Sequence, residues 1–302
     1  MPPRPEQKTV LITGCTPGGI GHALALEFHA KGLHVIATAR NISVLAEMAE
    51  MGMTTLALDV TKAASIKECH DEVALLTGGR LDILINNAGR THTIPATDLD
   101  IDDVRETFET NVFGVMAMCA AFADLLIQAG GLIINIASLA AITPYVFGSA
   151  YCASKGAVVS YSRTLRLELK PYGVRVMVAM AGTIRSQIAS KTHRVLPPAS
   201  IYQRVADMFQ RRLTFSQNNA TVPTDAFARK LVASALRPEW PVILRSWFGR
   251  PDWFYAGGWA GKVWFATSLG EWVLDTIMYR MFKLHNLERA IKQEQAAQKK
   301  LK

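Results

Sequence analysis

The 302 residues, half of them apolar, are enough for one sizeable core. The four cysteines (Cys15, Cys69, Cys119, Cys152) show neither disulfide pairing nor metal-ligand spacing, so no metal site and a reducing compartment are expected. The formal charge of +8 sits at one end: positions 280–302 hold seven Lys or Arg against Glu288 and Glu294, and only +2 remains for positions 9–279, too little for a nucleic-acid-binding face.

From Met1 to Lys8 the chain lacks the apolar run of a secretory signal, which predicts a cytoplasmic protein. Short β-branched or apolar runs then alternate with helical patterns. Strands are predicted at Val10 to Thr13, His34 to Thr38, Thr54 to Leu58, Leu81 to Asn86, Leu132 to Ser138, Val174 to Met180 and Val242 to Leu244. Helices are predicted at Ile20 to Lys31, Ser65 to Leu76, Val104 to Ala129 and Ala150 to Tyr172, where apolar residues recur at three-to-four spacing. This rhythm predicts an α/β fold of the Rossmann type, a doubly wound, seven-stranded parallel sheet with helices on both faces. Residues 1–249 are expected to form the catalytic domain, with a polar, basic substrate loop at 184–222, and residues 250–302 an aromatic-rich helical extension with a basic tail.

The first strand runs into Thr13-Gly-Cys-Thr-Pro-Gly-Gly-Ile-Gly21, glycines placed where a buried strand turns into a helix. Backbone N–H groups and the helix dipole there can face a pyrophosphate, so Gly14, Gly19, Ile20 and Gly21 are expected dinucleotide contacts. The second strand ends in Arg40, where an NAD-preferring unit carries an acidic residue; a guanidinium matches a 2′-phosphate and argues for NADP(H), against the plain alternative of a solvated arginine. Tyr151 and Lys155 lie four apart on one helix face, which predicts an ammonium beside the phenol that depresses its pKa.

Asp59-Val60, Asn86-Asn87-Ala88-Gly89, Asn111, Ser138 and Tyr151-Cys-Ala-Ser-Lys155 follow in order. Together they resemble the short-chain dehydrogenase/reductase family over about residues 8 to 190. The Thr-Gly-Cys-Thr-Pro-Gly-Gly-Ile-Gly turn with Thr-Ala-Arg40 looks most like the fungal subgroup similar to 1-acyldihydroxyacetone-phosphate reductase. The resemblance implies Tyr151 as proton donor, Ser138 holding the substrate oxygen, Lys155 also bonding the nicotinamide ribose, and Asn111 anchoring a proton-relay water. It further implies that Asp59 and Val60 flank the adenine, that Asn87, Ala88 and Gly89 line the ribose and nicotinamide side, and that Gly182, Ile184 and Ser186 close over the carboxamide. Two departures stand out: four residues rather than three separate Gly14 from Gly19, and Ala181 replaces a proline.

The implied activity is reduction of a ketone on a small lipophilic substrate, or the reverse; the rival is a redox-silent protein keeping the cofactor fold. Arg185, Lys191, Arg194, Arg204, Arg211 and Arg212 could hold a phosphate or carboxylate, or simply form a solvated face. All six tryptophans fall between Trp240 and Trp272. An apolar stripe of Phe265, Leu269, Trp272, Val273, Ile277, Met281 and Leu284 precedes the basic tail. This predicts either peripheral membrane contact through 253–284, at the endoplasmic reticulum or a lipid droplet, or packing against the domain or a second subunit in a homodimer.

Overall fold

The computed structural model describes residues 3–4, 6–185, 194–219, 222–241, 244 and 248–300. Its strands are β1 (Thr9–Ile12), β2 (His34–Ala39), β3 (Thr54–Ala57), β4 (Ile83–Asn86), β5 (Leu132–Ser138), β6 (Arg175–Ala181), β7 (Ile184–Arg185), β8 (Val222–Pro223) and β9 (Trp253–Ala256). Seven of them form one sheet in the order β3-β2-β1-β4-β5-β6-β9, each parallel to its neighbours; β7 and β8 pair separately. The order reverses between β1 and β4, and the crevice outside the carboxyl ends at such a switch point is where doubly wound sheets bind ligands.

Strand composition follows from double coverage. Every residue of β1, β2 and β4 is buried, since helices pack on both faces and leave no wet side. One face meets α1 (Ile20–Ala30) and α9 (Thr224–Ala235) through Leu24, Phe28, Phe227 and Leu231. The other meets α3 (Ala63–Thr77), α5 (Gly114–Ala121), α6 (Ala123–Ala129) and α7 (Ser149–Leu169) through Val73, Met118, Phe122, Leu126 and Val158. The short α2 (Ala46–Glu50) connects β2 to β3.

The expected helix from Val104 to Ala129 is divided. α4 (Ile101–Phe108) passes into a π-helical turn at Glu109–Phe113, then α5, then α6 after a bend of 54°. The π turn carries Asn111, which is fully buried behind the cavity wall, between Gly89 and Ser154.

The seventh strand is a correction. Val242 and Ile243 lie outside the described residues, and the strand beside β6 is Trp253–Ala256, with Val178 aligned to Trp253 and Ala181 to Ala256. An aromatic run with alternate burial fits a sheet edge, and the following Gly257 (φ +101°) lets the chain press onto Gly182, where an added Cβ would lie 2.1 Å from the Gly258 carbonyl oxygen.

The 184–222 stretch also carries more order than its polar composition suggested. It holds α8 (Ala206–Asn218), whose Met208, Phe209 and Arg212 are buried. Beyond β9 follow α10 (Ala260–Thr267), α11 (Glu271–Met281) and α12 (Leu284–Lys300). Among the described residues no single helix is long and apolar enough to cross a membrane.

Candidate active site

The carboxyl ends of β1, β2, β4, β5 and β6 open into a cavity of about 970 Å³. At one end lies the glycine turn. Gly14 has φ +74°, and a Cβ on it would touch the Ala88 backbone at 3.0 Å; a Cβ on Gly21 would stand 2.5 Å from both Asn87 Nδ2 and the Gly14 carbonyl oxygen. Gly19 caps α1 without any side-chain hydrogen bond, so the first-turn amides remain for an anion, as a dinucleotide pyrophosphate requires. Thr16, Pro17, Gly19 and Ile20 line the cavity here. The extra residue in the turn is accommodated by a second left-handed glycine, Gly18 (φ +74°), while Cys15 turns inward, its amide bonding the Thr38 carbonyl at 2.8 Å.

Arg40 is exposed at the end of β2, beside Asp59. Hydrogen bonds from the Thr61 amide and hydroxyl, with the Arg40 and Lys62 charges, outweigh partial burial and hold the Asp59 carboxyl below its ordinary range. Val60 packs on Gly114, where a Cβ would lie 2.9 Å from Val60 Cγ2.

Asn87 does more than line the site. Its Nδ2 donates to the Thr13 and Gly14 carbonyls at 2.8 and 3.0 Å, and the Asn87 and Ala88 amides both donate to Thr13 Oγ1 at 2.9 Å. Thr13 therefore ties β4 to the glycine turn, a positioning role the sequence reading missed although the residue opens the motif. A second missed network crosses β4, β5 and α7: Asn86 Nδ2 donates to Asn135 Oδ1, and Asn135 Nδ2 to Ser162 Oγ, both at 2.8 Å. Seen singly, an Asn or Ser in a strand or helix carries no such signal.

Ser138 ends β5, its Oγ accepting from the Ala140 amide at 3.2 Å and hydrogen-bonding the Tyr151 phenol. Lys155 is buried, 6% exposed; its Nζ donates to the Ile136 carbonyl at 2.9 Å and lies 6.0 Å from the Tyr151 ring centroid. Gly89 sits between this ammonium and Asn111: a Cβ there would be 3.2 Å from Asn111 Oδ1 and 3.7 Å from Lys155 Nζ. Asn111 itself accepts from the Arg90 amide at 2.8 Å and donates to the Arg90 carbonyl and Ser154 Oγ, each at 3.0 Å, so its side chain is fully engaged in fixing the β4 loop against α7.

The expected depression of the Tyr151 pKa is corrected. Enclosure of the phenol pushes it up to about 12, the Ser138 hydrogen bond opposing this, while burial brings Lys155 down to about 8. The ammonium is aimed at the Ile136 carbonyl, and withdrawal from water outweighs what it offers the phenol. A phenol in this state keeps its proton at neutral pH.

Gly182 and Ile184 border the cavity, clamped by hydrogen bonds from the Gly182 amide to Ala256 and between Thr183 and Gly258. Ser186 and Lys191 lie outside the described residues. The opposite wall comes from the C-terminal segment, with Val263 and Ala266 of α10 and Leu274, Ile277, Met278 and Met281 of α11 facing inward. The apolar stripe expected as one face is thus split: Phe265, Leu269 and Trp272 point outward and are exposed, whereas the 274/277/278/281 set closes the pocket.

Fold and site together define a Rossmann-type oxidoreductase with a Ser-Tyr-Lys centre. The chain belongs to the short-chain dehydrogenase family, whose model matches residues 8–195. An NADPH-dependent 1-acyldihydroxyacetone phosphate reductase of Schizosaccharomyces pombe is 47% identical over 201 residues, 65% of this chain and 68% of that one. A short-chain dehydrogenase of Neurospora crassa is 37% identical over 285 residues, 94% of each chain. Among solved structures, a short-chain dehydrogenase from Streptomyces avermitilis shares the fold with a TM-score of 0.73 and 24% identity, covering 95% of this chain and 99% of its own.

Proposed function

We propose that this enzyme uses NADPH to reduce a ketone on a lipophilic substrate. The observation carrying the reading is Tyr151, gathered with Ser138 and Lys155 on the wall of a cavity whose far side is made of Val263, Leu274, Ile277, Met278 and Met281. The turn from Gly14 to Gly21, Arg40 and the Asn87-Ala88-Gly89 segment would hold the cofactor, with Arg40 the group suited to its 2′-phosphate; when bound, it would supply a hydride. Ser138 orients the carbonyl oxygen, Tyr151 donates the proton to that oxygen, and Lys155 places a positive charge beneath the exchange. The kinship with an NADPH-dependent reductase named for an acyl-bearing dihydroxyacetone phosphate supports both cofactor and substrate class.

The test is Tyr151→Phe with NADPH and a long-chain ketone. Turnover is lost while NADPH affinity stays within a few fold; retained turnover overturns the mechanism.

A membrane-peripheral location, at the endoplasmic reticulum or lipid droplet, is proposed alongside a cytosolic pool. Supporting it, Trp264, Phe265, Leu269 and Trp272 are 53 to 69% exposed at the α10–α11 corner, ahead of the basic tail. Trp264→Ser with Trp272→Ser should abolish co-sedimentation with anionic liposomes. A protein that ignores liposomes and sediments as a dimer through this corner assigns the patch to a second subunit instead.

A further inference from the structure

Of the basic residues around the substrate loop, Arg194 pairs with Asp103, Arg204 with Glu294 and Arg211 with Asp207, while Arg185 is exposed. Arg212 differs from all of these. It is 5% exposed, lines the cavity, and takes part in none of the ion pairs among the described residues. The other two arginines on the wall are accounted for, Arg40 at the end of β2 and Arg90 by Asp103 and Glu106.

Arg212 stands in the buried stripe of α8, with Met208 and Phe209 one turn before it. Its plane is set by two contacts: Nε donates to the Val146 carbonyl at 2.8 Å, and the guanidinium carbon lies 3.5 Å from the Tyr145 ring centroid. Phe215 and Phe282 complete this aromatic box, with Phe282 5.9 Å from the guanidinium carbon. The arrangement spends Nε and one face of the group, leaving the Nη edge without a carboxylate. It lines the same cavity as Ser138, Tyr151 and Lys155, which places it near the reacting centre. Burying a cation unpaired is costly, and an aromatic face with one carbonyl compensates only in part. A bidentate oxyanion acceptor would complete the set.

We propose that Arg212 is a substrate-binding residue that takes a carboxylate or phosphate, so that the ketone reduced at Tyr151 is an anionic amphiphile. The inference rests on the carbonyl-reductase reading of this cavity and adds the charge its substrate carries. The apolar residues of α10 and α11 receive the chain, and the guanidinium fixes the end that water would otherwise hold.

Calorimetric titration of the enzyme–NADPH complex with dodecanoate, dodecyl phosphate and dodecanol tests it. Each anion, or one of the two, should bind at least tenfold more tightly than the alcohol, the better of them naming the group recognised. In Arg212→Gln that advantage should fall by roughly tenfold to a hundredfold, the scale of a charge-assisted contact, with Arg212→Lys intermediate. Retained NADPH affinity verifies the fold of each variant. Should Arg212→Gln fail to hold NADPH, inorganic phosphate added to the wild type should displace the anions and spare dodecanol. Dodecanol binding as tightly as both anions, an advantage that survives Arg212→Gln, or anions that phosphate does not displace would overturn the assignment. Oxidation of NADPH by a neutral long-chain methyl ketone tests the reductase reading separately, since its absence would sink that reading whatever the anions do.

Discussion

Lys155→Met removes a buried charge while keeping an unbranched chain of similar volume, and its effect on stability has a definite pH dependence. In the fold the ammonium has one acceptor, the Ile136 carbonyl, and burial lowers its pKa from the ordinary 10.5 to about 8. Unfolded chains therefore bind more protons than folded ones between those values, so wild-type stability rises with pH across that window and carries the full cost below it. At about 1.36 kcal/mol per pH unit the cost is about 3 kcal/mol at pH 7, shrinking to under about 1 kcal/mol by pH 10. The buried thiols of Cys15, Cys69 and Cys119, each pushed up to about 12, oppose this trend above pH 9, but they do so equally in both proteins and cancel in the difference. Urea titrations of wild type and variant at pH 7, 8, 9 and 10 should thus show the wild type gaining about 2 to 3 kcal/mol on the variant from the lowest to the highest pH. Parallel curves would refute the claim that a desolvated ammonium sits beneath the active site. The hydrogen bond to Ile136, lost in the variant, shifts the two curves by a constant and does not alter their divergence.

Arg40→Ala should erode the preference for NADPH over NADH by about 1 to 3 kcal/mol, read from the two values of kcat/KM; equal use of both cofactors by the wild type would remove the 2′-phosphate role. Gly21→Ala forces a Cβ to within 2.5 Å of Asn87 Nδ2 and the Gly14 carbonyl oxygen, and should cost about 1 to 3 kcal/mol in urea unfolding with at least tenfold weaker NADPH binding; an unaltered Kd would show that the turn yields freely. Truncation after Arg250 deletes β9 and the walls contributed by α10 and α11, so it should yield insoluble or noncooperatively unfolding protein, and a soluble, cooperative product would deny the edge strand its place.

Much of the fold was legible because local chemistry and tertiary demand agree there. The central strands β1, β2, β4, β5 and β6 read as largely apolar runs since both their faces are covered, and glycines at positions 14, 19 and 21 announce a turn that has no room for a Cβ. Tyr151, Lys155 and Ser138 were found for a different reason: a helix face and a strand end impose fixed spacings on groups that must meet. Where side-chain placement depends on partners distant in sequence, the chain alone was silent or misleading. Trp253 to Ala256 looks like an interfacial segment until β6 offers it an edge, and the apolar stripe of α11 has two sides only because a cavity lies on one of them. The same holds for charge. The spacing of Tyr151 and Lys155 is local, but whether the lysine lowers the phenol or burial raises it depends on how much water the surrounding elements exclude, and Arg212 reads like the other cations of its stretch until packing buries it on the cavity wall without an ion pair among the described residues.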